Sequence, residues 1–156
     1  MWLEMIRKIT LDDLDELQRL IVGEEIAYEF ESFGYLNIDV QKAREIVAYW
    51  VTRDEPLMFV AVENGEIIGF LFGEVYSPWC ATDKFAVENI LYVRKAFRGA
   101  KTMIALSRAF EEKAKEYGCR ELHTGLVLKN PNSETRLNVL NRSGYEASLY
   151  FMKKVL

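Results

Sequence analysis

Hydrophobic residues at helical spacing mark the N-terminal part of the chain. One stripe of five apolar positions predicts a helix over residues 11–25, with Thr10 as its N-cap. The stripe consists of Leu11, Leu14, Leu17, Leu20 and Ile21. Residues 5–10, MIRKIT, predict a strand before this helix, and residues 39–52 predict a second helix after a less regular stretch at 27–37.

Three strand-like runs follow in the middle of the chain. Residues 57–63 and 66–76 flank Asn64-Gly65, a dipeptide typical of a two-residue hairpin turn. Residues 84–93, KFAVENILYV, alternate and predict another strand. Strict alternation divides the side chains of this strand between its two faces. One face receives Phe85, Val87, Asn89 and Leu91, and the other receives Ala86, Glu88, Ile90 and Tyr92.

The C-terminal part predicts alternating helices and strands. A helix over 101–117 ends at Gly118, a strand follows at 121–128, and Asn132 or Ser133 caps a helix over 133–143. A last strand is expected at 149–155. The order β-α-α-β-β-β-α-β-α-β predicts an α/β (α+β) fold with a mixed sheet and helices on both faces. With no linker or repeat, we expect one domain over 1–156.

Composition excludes several classes of protein. A net charge of −4 argues against general nucleic-acid binding, and no apolar run is long enough to cross a membrane. Early charges do not fit a signal peptide, so the cytoplasm is the expected location. Cys80 and Cys119 are expected as small core residues in a reducing compartment. With one histidine and no Cys/His spacing, no metal site is expected.

Charge is divided unevenly along the chain. Residues 1–90 hold 18 acids and 7 bases, whereas residues 91–156 hold 13 bases and 6 acids. Between Asn89 and Phe110 every charged residue is a cation: Arg94, Lys95, Arg98, Lys101 and Arg108. These cations surround FRGAKTMIAL, where a helix is predicted to begin. Because a helix N-terminus offers unpaired N–H groups and partial positive charge, we predict a phosphate site here. The alternative is a simple turn with solvated cations.

The element order, with Arg98-Gly99 opening a helix after the fourth strand, resembles the GNAT (Gcn5-related N-acetyltransferase) superfamily. The family's central motif is a strand, a short loop and R/Q-x-x-G-x-G/A leading a helix that ends near a glycine. RGAKTMIALSRAFEEKAKEYG matches that length, and NSETRLNVLNRSGYEASLYF is similar to the family's last helix, Gly-aromatic pair and last strand. The chain departs from the motif at Lys101 and Met103, where the family has small residues.

The resemblance implies a sheet of six or seven mostly antiparallel strands with splayed central strands. It also implies transfer of an acetyl group from acetyl-CoA to a primary amine on a small molecule or an exposed protein amine. The strand before the motif then pairs with the pantetheine arm, and the helix start binds the pyrophosphate. The implied cofactor-binding residues are Leu91, Tyr92, Val93, Arg98, Gly99, Ala100, Lys101, Thr102, Met103 and Asn132. Asn132 is equally well explained as a helix N-cap.

Glu88 is the candidate general base, because a carboxylate among apolar strand residues is well suited to accept a proton. A solvated glutamate is the alternative. In the family, a tyrosine on the last helix often acts as the general acid, and the matching position here is Leu140. Tyr150 is therefore the candidate general acid and Tyr92 a second one. Both could instead be core aromatics, and a thiolate can also leave without a general acid. His123 is interpreted as a strand residue.

Other features leave function open. An acceptor pocket could be lined by Trp50, Trp79 and the aromatic residues of 25–38. The segment 25–38 could equally form a lid or a dimer contact. A homodimer is left open, since twofold dimers are the commonest oligomers. The departures at Lys101 and Met103 keep two alternatives: a GNAT-fold binding or regulatory module without catalysis, and a phosphate-binding domain without acyl chemistry.

Overall fold

The chain forms two compact units, residues 1–125 and 126–156. The computed structural model describes residues 5–22, 39–53, 57–126, 132–148 and 154. The first unit contains β1 (Ile6–Lys8), α1 (Leu14–Val22), α2 (Val40–Thr52), β2 (Leu57–Glu63), β3 (Glu66–Tyr76), β4 (Lys84–Val93), α3 (Ala100–Glu116) and β5 (Cys119–His123). The second unit contains α4 (Ser133–Arg142). The expectation of a single domain over 1–156 stays a prediction.

The sheet confirms the predicted mixed, mostly antiparallel architecture. Its order is β1-β2-β3-β4-β5, and β4 and β5 form the parallel pair. The described residues supply five strands, whereas six or seven were expected; the strand predicted at 149–155 lies outside them. Strand β5 ends at His123, so residues 124–126 do not continue it as the prediction over 121–128 required.

The predicted hairpin between β2 and β3 is confirmed. Asn64 and Gly65 have φ angles of 52° and 81°, the left-handed conformation that a tight hairpin turn needs at both central positions. This turn sets the antiparallel β2–β3 register.

Hydrophobic clusters cover both faces of the sheet. On one face, Leu17 of α1 and Val47 of α2 pack against strand residues that include Phe70 and Phe72. On the other, α3 contributes Leu106 and Phe110, which pack against strand residues that include Leu71. The prediction of helices on both faces is therefore confirmed.

The strict alternation predicted for β4 is wrong, because the strand contains a β-bulge. Phe72 pairs with Ile90 and Gly73 with Glu88, so Asn89 is an extra residue. As a result Ala86 packs in the α3 cluster, while Ile90 packs against the cluster on the opposite face. The alternation of side chains between the two faces of the sheet therefore reverses at the bulge. A residue on one side of the bulge cannot be assigned to a face by counting residues from the other side.

The start of the first helix differs from the prediction. Thr10 occupies the N-cap as expected, but the chain first makes a short 3-10 helix over Leu11–Asp13. Leu11 is 54% exposed and does not belong to the buried stripe. Cys80 is also exposed, so the expectation that it lies in the core is wrong. Within the described ranges, no helix is long and apolar enough to cross a bilayer.

Candidate functional site

The start of α3 presents an open, glycine-capped helix end. Gly99 is the N-cap, with extended backbone angles of φ −179° and ψ 164°. A Cβ built on Gly99 would meet no atom within 4 Å, so packing within the protein does not require glycine here. Ala100 and Lys101 are exposed, which leaves this end of a 17-residue helix accessible to an anion.

Two other motif side chains turn inwards. Thr102 is buried, with 5% of its surface exposed, and Met103 is half-buried. The Thr102 side chain therefore belongs to the core, and what it can offer an anion is its backbone N–H. Lys101, by contrast, carries its charge on the surface, at the position where the family motif has a glycine.

Arg98 lies back along the end of β4. Its Nε donates to the carbonyl oxygen of Val93 at 3.0 Å, and its guanidinium carbon lies 5.7 Å from the ring centre of Tyr92. The side chain thus connects the loop before α3 to the strand. The bidentate phosphate contact predicted for Arg98 stays a prediction.

Strands β4 and β5 part halfway along β4. Their pairing runs from Lys84↔Cys119 to Val87↔His123, and β4 then continues to Val93. The Arg94 N–H donates to Ile68 of β3 at 2.9 Å, so alternation turns the peptide groups of Val93 and Leu91 away from β3. These groups lie on the side of β4 where the two strands diverge.

Tyr92 differs from its two neighbours. Its carbonyl oxygen lies against Gly69 of β3, where a Cβ would approach it to 2.8 Å. Its side chain is 7% exposed and packs on Phe70, with ring centroids 5.6 Å apart. Tyr92 is therefore a core residue in both main chain and side chain, unlike Leu91 and Val93.

Glu88 lies at the point where the strands part. It follows Val87, the last β4 residue paired with β5, and precedes the bulged Asn89. The hydroxyl of Thr124, the residue directly after β5, donates to Glu88 Oε1 at 3.1 Å, and both residues are half-buried. This contact orients the carboxylate. The sequence gives no signal for Thr124, because its place beside Glu88 depends on the β4–β5 register.

The remaining candidates are dispersed. Asn132 is the N-cap of α4, and its carbonyl accepts the Arg136 N–H at 3.0 Å. Tyr150 and residues 25–38 lie outside the described residues. Trp50 packs edge-on against Phe72, with centroids 6.2 Å apart, and Trp79 is 98% exposed. In the described part of the chain, no three His, Cys, Asp or Glu side chains come together as metal ligands.

Comparison with solved structures shows the same fold in other proteins. A protein described as a probable acetyltransferase is 19% identical, with a TM-score of 0.75 over 97% of this chain and 95% of that one. A transcriptional regulator from Bacillus halodurans C-125 is 19% identical, with a TM-score of 0.72 over 97% and 98%. An aminoglycoside acetyltransferase, HMB0005, from an uncultured soil metagenomic sample is 18% identical, with a TM-score of 0.70 over 97% of each chain.

A family-level match goes further than these structural likenesses. No curated protein matches the chain. Residues 23–136, however, match the model of the Acetyltransferase (GNAT) family. That range includes the parting of β4 and β5, Glu88 and the whole of α3. The chain therefore belongs to the GNAT acetyltransferase family.

Proposed function

We propose that the protein transfers the acetyl group of acetyl-CoA to a primary amine. The observation that carries this proposal is the position of Glu88 where β4 and β5 part, midway along a strand whose C-terminal end leads to the open start of α3. A carboxylate and an anion-binding helix end are thus joined by a strand edge with outward-facing peptide groups. The proposal includes a cytoplasmic location and a single domain.

The residues divide between holding acetyl-CoA and handling the proton. The backbone N–H groups at the start of α3, with Arg98 and Lys101, would hold the pyrophosphate. The peptide groups of Leu91 and Val93 would pair with the pantetheine arm, as an added strand pairs with a sheet edge. Acetyl-CoA supplies an activated acetyl thioester. Asn132, which belongs to the second unit, remains a proposed cofactor-binding residue.

Proton handling falls to Glu88. An ammonium group must lose a proton before its nitrogen can form a bond to the acetyl carbon, and the Glu88 carboxylate would accept that proton. The Thr124 hydroxyl keeps the carboxylate in one orientation, 3.1 Å away. The net reaction breaks the C–S bond, forms a C–N bond and releases one proton with free CoA. Tyr150 is the proposed acid that protonates the leaving thiolate.

Thiol release from acetyl-CoA tests the proposal. Wild type should release thiol only when a primary amine is added, and Glu88→Gln should lower kcat by about 10²–10⁴. The glutamine oxygen can still accept the Thr124 hydrogen bond, so the fold should persist. Glu63→Gln, an exposed change at the end of β2, is the control and should keep full activity. Equal kcat in both variants would remove Glu88 from the mechanism.

A binding or regulatory module is the second candidate. It is favoured by Lys101 and Met103 in place of the family's small residues, and it fits a fold shared with a protein described as a transcriptional regulator. Acetyl-CoA at about 100 times its dissociation constant should stabilise a protein that binds it by about 2.7 kcal/mol. Stabilisation without amine-dependent thiol release would support the module. No stabilisation at millimolar acetyl-CoA would contradict the acetyltransferase and support the module, because Lys101 and Met103 would then close the cofactor site.

A further inference from the structure

The bulged residue Asn89 lies where β4 has the least support from its neighbours. The β3 partners of its two flanking residues are adjacent in sequence, Gly73 for Glu88 and Phe72 for Ile90. On the other side of β4, the pairing with β5 ends two residues before Asn89. Within the described residues, Asn89 therefore has no register partner on either neighbouring strand. The residue before it is the candidate base, so the backbone that carries Glu88 needs another restraint.

The side chain of Asn89 supplies such a restraint by bonding to Glu74 of β3. Its Nδ2 donates to Glu74 Oε1 at 3.3 Å. Glu74 is the register partner of Val87, the residue directly before Glu88. The bond therefore ties the bulge to the part of β3 that lies beside the candidate base.

Glu74 and Glu88 lie on opposite faces of the sheet. A Cβ built on Gly73 would lie 2.6 Å from a ring carbon of Phe110, so a side chain at this position would face α3. Glu88 shares that face, because it is the register partner of Gly73. Glu74 is the next residue of β3, and alternation sends its side chain to the other face.

Two side-chain bonds thus hold consecutive residues of β4 to the strands on either side. On the α3 face, the hydroxyl of Thr124, directly after β5, donates to Glu88 Oε1 at 3.1 Å. On the opposite face, Asn89 bonds to Glu74 of β3. The first bond restrains the carboxylate itself. The second restrains the next residue, and so it resists rotation of the peptide group between Glu88 and Asn89.

The bond between Asn89 and Glu74 matters for local geometry more than for global stability. Both residues are exposed, and exposed polar side chains contribute little to the free energy of unfolding. A general base, by contrast, must lie within about 2.6–3.2 Å of the atom that loses the proton. A misplacement of about 1 Å can lower a rate about 10²-fold, even when the change lies away from the reacting atoms.

We propose that Glu74 and Asn89 are positioning residues for Glu88, and that they act across the sheet through the bulge. The inference rests on the proposed function and names two further residues on which the direction of its base depends. The Asn89 amide is neutral, so what it needs from residue 74 is an acceptor oxygen and not a negative charge. A glutamine at position 74 can therefore replace the glutamate.

Thiol-release kinetics test this role, with ethylamine, tyramine and putrescine as acceptor probes. Glu74→Ala and Asn89→Ala should each lower kcat about 10- to 100-fold and leave KM for acetyl-CoA unchanged. Glu74→Gln keeps the acceptor oxygen and should retain most of the wild-type kcat. Glu121→Ala removes another exposed carboxylate, on β5, and as the control it should keep full activity.

A double-variant cycle shows whether Glu74 acts through Glu88. In a Glu88→Gln background, Glu74→Ala should lower kcat far less than it does in wild type, because the group that it positions is already absent. A loss of equal size in both backgrounds would overturn the positioning role. A higher KM for the amine in Glu74→Gln, with kcat unchanged, would also overturn it, because the charge of Glu74 would then serve amine binding.

Amide hydrogen exchange measured by NMR tests the bond without turnover. The backbone N–H groups of residues 88–90 should exchange about tenfold faster in Glu74→Ala than in wild type, as expected for the loss of one hydrogen bond. Glu74→Gln should exchange at the wild-type rate, and the amides of β2 are the internal reference. Unchanged exchange at residues 88–90 in Glu74→Ala would overturn the inference even if kcat falls.

The outcomes distinguish this inference from the function on which it rests. If wild type releases thiol with an amine, and neither kcat nor exchange responds to Glu74→Ala, the inference is wrong and the acetyltransferase proposal stands. If exchange responds but wild type releases no thiol with any of the three amines, the acetyltransferase proposal is contradicted, and the positioning role is overturned with it.

Discussion

Asp13 combines deep burial with full hydrogen bonding. It is 5% exposed, and its two carboxylate oxygens each accept from Arg7 at 2.7 Å. Thr10 adds its backbone N–H at 2.8 Å and its hydroxyl at 3.0 Å. Burial acts to raise the pKa of Asp13, but the hydrogen bonds from Arg7 and Thr10 and the charge of Arg7 outweigh it, so the pKa lies below its usual value. One carboxylate thus joins β1 to the start of the first helix.

Acid should therefore weaken the fold through Asp13. Because the folded-state pKa is depressed, the stabilisation is complete above the ordinary value of 3.8 and is lost as the pH falls through the lower folded value. Asp13→Asn should cost about 1.5–3 kcal/mol at neutral pH and flatten the acid limb of stability measured by urea unfolding. Asp12→Asn, an exposed neighbour with the same charge change, is the control. Parallel acid limbs in both variants would contradict this account.

A substitution at Gly99 can separate an effect on stability from an effect on cofactor binding, because Gly99→Ala adds only one methyl group. Its backbone is extended and the space around it is open, so Gly99→Ala should lower the free energy of unfolding by no more than about 1 kcal/mol, the cost of alanine at a helix N-cap. If the proposed pyrophosphate site is correct, the added methyl group should still weaken acetyl-CoA binding about tenfold or more, measured by calorimetry. Gly125→Ala, another glycine with no atom within 4 Å of a built Cβ, is the control. Unchanged affinity for acetyl-CoA in Gly99→Ala would argue against close approach at this residue.

At the scale of the elements, the packing of α3 against β3 depends on a glycine in β3. A Cβ at Gly73 would lie 2.6 Å from a ring carbon of Phe110 and 2.8 Å from the Val87 carbonyl oxygen. The ring could shift, but the oxygen belongs to the β4 backbone just before Glu88. Glycine at this position therefore lets α3 and the bulged part of β4 both pack closely on β3.

Gly73→Ala should destabilise the protein by about 1–3 kcal/mol, as overpacking of a filled core does. Adding Phe110→Leu should restore only part of that loss, because the clash with the Val87 oxygen remains. Chemical unfolding of the single and double variants measures both effects, with Phe110→Leu alone as the reference. Full rescue by the smaller side chain would show that the backbone contact is unimportant.

Sequence patterns predicted elements better than the contacts between them. Helix α3 and the Asn64-Gly65 turn follow from local spacing and φ preferences, and both lie close to where they were expected. The bulge at Asn89 could not be predicted, because it depends on how β3 pairs with β4. The same holds for Glu16 of α1, whose carboxylate accepts the Ile67 N–H of β3 at 2.7 Å, and for Thr124 beside Glu88. Such contacts need a register that one strand's sequence does not contain.

Over the whole molecule, charge is separated along the chain and concentrated near the start of α3. Arg94 forms an ion pair with Glu66 at 3.5 Å, and Arg98 bonds to the Val93 carbonyl, yet both cations stay at the end of β4 that leads to α3. Lys101 adds an exposed charge in the first turn. A protein with a net charge of −4 can thus attract a polyanion locally, although its overall field repels one.

A higher salt concentration should therefore raise the KM for acetyl-CoA more than it lowers the kcat of amine acetylation. Raising the ionic strength from about 0.01 M to about 0.15 M shortens the Debye length from about 30 Å to about 8 Å, and KM for acetyl-CoA should rise with it. Lys101→Gln should raise KM at low salt and reduce this dependence. Lys115→Gln removes the same charge from the other end of α3, about 20 Å away, and should change neither. If the two variants behave alike, the attraction comes from net charge and not from the helix start, and Lys101 would be a surface residue without a role in the site.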